Sequence, residues 1–154
     1  MKRYVVLLAL LTAAVVAAEP SGLGLGIIVG EPTGLSVNAW LSGNTAVDAA
    51  AAWSVVGHYQ AVHVHADFLL HNFELLEVTS GDLPLYYGVG GRIKLAGHEE
   101  DQDLRIGVRV PVGISYLFKD YPIDLFLEVV PLLDIIPSTI LGWNSGIGIR
   151  YYFH

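Results

Sequence analysis

The strongest constraint on this chain is an alternation of period two that recurs in eight segments rich in Val, Ile, Leu, Tyr and Gly. They run over Gly22 to Val29, Leu35 to Leu41, Ala46 to Val56, Ala61 to Leu70, Leu85 to Leu95, Arg105 to Phe118, Ile123 to Leu132 and Trp143 to Phe153. Successive side chains of a strand point to opposite faces, so this period predicts strands with two unlike surfaces. Between them lie "GEPTG", "SGN", "VGHYQ", "HNFELLEVTSGDLP", "AGHEEDQD", "KDYP" and "IPSTILG", whose Gly, Pro and Asx residues break strands and form turns.

Sorting each segment into faces separates the chemistry. One face carries residues such as Leu25, Ile27, Val64, Phe68, Ile93, Val108, Leu127 and Ile149, and no charged side chain in any segment. The other carries Ser36, Asn38, Asp48, Ser54, His63, His65, Asp67, Tyr86, Arg92, Lys94, Arg105, Arg109, Ser115, Asp124, Glu128, Asn144, Arg150 and Tyr152, with many glycines. With 53% hydrophobic and 15% charged residues, the chain is apolar for a soluble domain. Beyond the first residues, Gly, Asn, Asp, His or Pro interrupts every apolar run within a few residues, well short of the about 20 needed for a spanning helix. If strands cross a membrane they must close into a barrel, because an open edge leaves backbone groups unpaired in hydrocarbon. The expected fold is all-β, an eight-stranded antiparallel up-and-down transmembrane barrel with the charge-free face outward.

The N-terminus reads as a cleaved signal peptide over residues 1–18. Lys2 and Arg3 precede the apolar "YVVLLALLTAAVVAA", and small Ala17 and Ala18 precede Glu19. The barrel domain then occupies 19–154. With no cysteine, disulfides and thiolate metal sites are excluded, as is a lipid carried on an N-terminal cysteine. Past residue 18, six basic residues stand against fifteen acidic ones, a net charge of −9 that argues against nucleic acid as a partner.

Eight strands enclose a space that side chains just fill, so the inward charges are expected to plug it. Arg92, Lys94, Arg105, Arg109 and Arg150 would meet Asp48, Asp67, Asp124 and Glu128 there. Mirroring the last two strands about "IPSTILG" sets Glu128 level with Arg150, the pair expected to be most direct. A proton or ion path through these charges is the functional alternative to a plug. In "AVHVHADFLLH", His63, His65 and Asp67 share one face at about 6.5 to 7 Å spacing. They are weak metal candidates, since side chains along one straight strand do not converge without help from neighbouring strands; otherwise they line the lumen. No cofactor is expected.

Smaller signals are absorbed more simply. "GLGLG" at residues 22–26 lacks the following helix of a phosphate loop and suits close packing in a narrow barrel. "HEEDQD" at 98–103 reads as an exposed loop, with outer loops of 5 to 8 residues overall. Pro111 and Pro131 each remove a ladder hydrogen bond, so a bulge or break is expected at each, with the facing of residues 132–134 open to reversal at Pro131.

With the N-terminus on the periplasmic side, odd strands rise and even strands descend, and the outward Phe68, Tyr87, Tyr116, Phe118, Tyr151 and Phe153 gather at that end as an aromatic girdle. Trp53 and Trp143 fall toward the other. The leader, the eight strands and the final "GIGIRYYF" together resemble small outer-membrane barrels of the OmpA/OmpX type. The resemblance implies residence in a Gram-negative-type outer membrane among its lipids. It also implies recognition of the C-terminal strand by the barrel assembly machinery, through Tyr151 and Phe153. His154 and Gly146 depart from that pattern. The role expected is structural or interaction-based, not enzymatic, with any ligand unknown. The rivals are a soluble lipocalin-like periplasmic barrel, which needs an apolar inside, and a barrel enzyme acting on lipid, for which Ser54 and His63 are the conceivable pair.

Overall fold

The computed structural model describes residues 22–31, 33–56, 59–98 and 101–153; the expected signal peptide and His58 lie outside them. Nine strands are described: β1 (Leu23–Glu31), β2 (Gly34–Trp40), β3 (Thr45–Val56), β4 (Tyr59–Asn72), β5 (Leu85–His98), β6 (Asp101–Arg109), β7 (Val112–Leu117), β8 (Ile123–Ile136) and β9 (Ile140–Phe153). All pairings between them are antiparallel. Strands adjacent in sequence pair with one another except β6 with β7, and β1 pairs with β9 from Leu23↔Phe153 to Glu31↔Ser145, which closes the ring.

The ring has eight staves, because β6 and β7 are two halves of one. Both lie between β5 and β8, and Val110 and Pro111 interrupt them. The break falls where Pro111 has no N–H to donate, as expected of a proline inside a closed sheet. Pro131 behaves otherwise. β8 runs through it without changing phase: Val130 and Leu132 are buried, Leu133 is exposed, and Asp134 is buried again. The reversal considered at this proline does not occur.

Alternation also carries the strands further than turn composition indicated. β5 ends at His98 and β6 starts at Asp101, while β8 ends at Ile136 and β9 starts at Ile140. At the rim away from the chain ends, only two or three residues therefore separate consecutive strands, fewer than the 5 to 8 expected. Most of "HEEDQD" belongs to β5 and β6. The longer connections, 41–44, 73–84 and 118–122, share the rim of Leu23 and Phe153.

The faces are those of an inside-out protein. Every stave presents large apolar side chains outward, from Ile27 and Leu35 round to Leu127 and Ile149. The interior combines polar groups with a few large rings that glycines make room for. A Cβ on Gly148 would collide with the Phe126 ring, and one on Gly113 with Tyr86. Ile28, Leu69, Tyr86 and Phe126 form one apolar cluster inside, and Trp40, Ala46 and Tyr152 another toward the rim of the chain ends.

Candidate functional site

The interior charges form a connected set, positioned by register. β3 and β4 place Asp48 directly opposite Asp67, and β8 and β9 place Asp124 opposite Arg150. From the rim of the chain ends, Asn38 Nδ2 donates to Tyr152 Oη (3.0 Å), which donates to Asp124 Oδ2 (2.6 Å). Arg150 Nε donates to Asp124 Oδ1 at 3.1 Å, and its Nη1 lies 4.0 Å from Asp48 Oδ2. Further in, Arg109 Nε sits 3.0 Å from Asp67 Oδ1 and its Nη2 3.5 Å from Glu128 Oε1, while Tyr86 Oη donates to Glu128 Oε2 at 2.9 Å. Nearest the other rim, Arg92 grips Asp134 with both Nε (2.9 Å) and Nη2 (2.6 Å).

Each of these carboxylates and guanidiniums is at least 94% buried. Burial at that depth is tolerable where a charge has a close partner, as Asp124 and Asp134 have, and a bidentate arginine fork is the strongest form of such pairing. The Arg150 guanidinium also lies 4.1 Å above the Phe126 ring centroid, adding a cation–π contact.

One expectation is corrected here. Glu128 does not meet Arg150: the last hairpin folds about Pro137, pairing Asp134 with Ile140, so Gly146 stands opposite Glu128 and Asp124 opposite Arg150. The reason is that the axis of this hairpin falls at Pro137, two residues before the centre of "IPSTILG" at Thr139. Lys94 and Arg105 are half-buried, opposite one another on β5 and β6. Sequence reasoning missed Asp134, the partner of Arg92. Carrying the alternation of β8 through Pro131 places it inside, and that signal was available.

The histidines separate. His65 Nδ1 lies 3.3 Å from Asp67 Oδ2, and ligand atoms of Asp48, His65 and Asp67 come within 4.8 Å of one another. Asp48 thus takes the place expected of His63, whose ring stands edge-on 5.5 Å from that of His65. His71, at the end of β4, is buried against Trp40 and Tyr86. The Ser54 side chain lies outside the described residues. Outside the barrel, Phe68, Tyr87, Phe118, Tyr151 and Phe153 are exposed in the half near the chain ends. Tyr116 is half-buried there, donating to the Ser80 carbonyl at 2.7 Å. Trp53 and Trp143 are exposed toward the other rim.

Two solved structures share this architecture. The N-terminal β-barrel domain of Pseudomonas aeruginosa OprF superposes with a TM-score of 0.55 at 13% identity, covering 85% of this chain and 95% of that one. Neisserial surface protein A (NspA) superposes with a TM-score of 0.52 at 12% identity, covering 85% and 93%. No family model and no curated protein matches the chain. The fold is the small eight-stave antiparallel up-and-down barrel that these two outer-membrane proteins share.

Proposed function

We propose that this protein is a small integral outer-membrane barrel with both termini in the periplasm, whose lumen is plugged by its own charges and whose role is structural or interaction-based. The observation that carries the reading is the inverted distribution of polarity: apolar side chains outside on every stave, and carboxylates, arginines and histidines inside. Water would make that arrangement very unfavourable, whereas hydrocarbon favours it. A soluble carrier of an apolar ligand needs the opposite. A lipid-modifying enzyme needs its base where lipid can reach it, but His63 and His65 both face inward.

On this reading the aromatics near the chain ends sit at the periplasmic interface, and Tyr151 and Phe153 on β9 serve recognition by the barrel assembly machinery. Membrane fractionation combined with gel mobility before and after boiling tests it. A heat-modifiable band in the outer membrane is expected; recovery from the soluble periplasmic fraction would overturn it. In a planar bilayer the plugged lumen should pass no steady current.

A further inference from the structure

We propose that Asp48, His65 and Asp67 form a divalent metal site inside the barrel, taking an ion of the zinc class. The site rests on the barrel interior alone and not on where the barrel resides. One strand could not build it, since His65 and Asp67 point the same way without converging. Convergence comes from the β3–β4 register, which brings Asp48 directly opposite Asp67, so that one ligand atom from each of the three lies within 4.8 Å of the others. An imidazole with two carboxylates is a donor set that suits Zn²⁺ and similar first-row ions, and three protein ligands leave a coordination position open.

Two independent observations point to a cation there. First, Asp48 Oδ1 and His65 Nε2 lack a hydrogen-bond partner although buried, while Asp67 is held by Arg109 Nε at Oδ1 and by His65 Nδ1 at Oδ2. Buried polar atoms left so are rare and need a partner of another kind. Second, Asp48 and Asp67 are both buried and face each other directly across β3 and β4, a like-charge pair that a cation between them would compensate.

Compensation by arginine is weakest at Asp48, because Asp124 and Asp134 each hold an arginine within 3.1 Å while the nearest guanidinium to Asp48 is Arg150 at 4.0 Å. Arg109, 3.0 Å from Asp67 Oδ1, is the cation facing the cluster from β6. It is shared with Glu128 and orients the Asp67 carboxylate, the usual part of an outer partner to a ligating group.

The test uses the full barrel refolded in detergent with Co²⁺ and then desalted, reading metal content and visible absorption. One retained equivalent of Co²⁺, displaced by Zn²⁺, is expected. Asp48→Asn and His65→Gln should weaken Co²⁺ binding by more than about 100-fold, since loss of even an outer partner costs about 10–100-fold. Heat-modifiable mobility scores folding in each variant. Should those two not fold, Asp48→Glu keeps the charge and moves the donor oxygen, so it must shift the cobalt spectrum. Folded wild-type barrel that retains no metal would overturn the proposal, as would an unchanged spectrum in Asp48→Glu or undiminished binding in the other two.

Discussion

Arg150 of β9 and Asp124 of β8 stand directly opposite one another, with Nε 3.1 Å from Oδ1 and the guanidinium stacked over Phe126. Both are nearly fully buried, so neither can turn to water if the other is removed. Arg150→Ala should therefore destabilise the barrel by about 3–5 kcal/mol, the range for stranding a buried charge. Urea unfolding in detergent, followed by tryptophan fluorescence, measures it. Combining Arg150→Met with Asp124→Leu should recover part of the loss, because the stranded charge disappears with its partner.

Arg92 and Asp134 form a second, separate unit. A double-mutant cycle on Arg92→Met and Asp134→Leu should return a coupling of about 1–3 kcal/mol, whereas Arg92→Met combined with Arg150→Met should be additive to within about 0.5 kcal/mol. A large coupling between the two arginines would mean that the lumen charges act as one block.

Gly148 is where the interior has no room to spare. Its missing Cβ is filled by the Phe126 ring, so Gly148→Val should cost about 1–3 kcal/mol through overpacking, visible as a lower boiling temperature for the gel shift. Adding Phe126→Leu should restore part of it. If Gly148→Val alone is neutral, the ring is not held against the β9 backbone.

Leu127, exposed midway along β8, tests what surrounds the barrel. Leu127→Arg should cost about 2–4 kcal/mol in a bilayer. The same change on a water-facing surface stays within about 0.5 kcal/mol. Unfolding from phospholipid vesicles distinguishes the two.

What the sequence made legible is what period two controls: which face each side chain takes, and hence that Asp48, Asp67, Arg92, Arg109, Asp124, Glu128 and Arg150 are all inside. What it left illegible is what the turns control. Moving the last turn to Pro137 trades Glu128 for Asp124 beside Arg150, and no alternation pattern reports that shift. Asp134 lies two residues past the Leu132 end that turn composition gives this strand, and beyond a proline at which the facing was open to reversal, whereas Pro131 in fact stays in phase. The neighbourhood of Asp48 and His65 was beyond reach for a related reason: convergence across strands is a property of register, and spacing along β4 alone shows only His63, His65 and Asp67 in a row.

The seam between β1 and β9 joins residues from opposite ends of the chain, Leu23 with Phe153 at its extreme. Until the last strand has formed, β1 has an unpaired edge, and so does β8. No shorter fragment can satisfy its backbone in hydrocarbon, and a chain missing its final strand loses the enclosure as a whole rather than one part in eight. The molecule exists as a finished ring or as a strand-sticky precursor, and the closing contact is the one with the greatest loop-closure entropy to overcome.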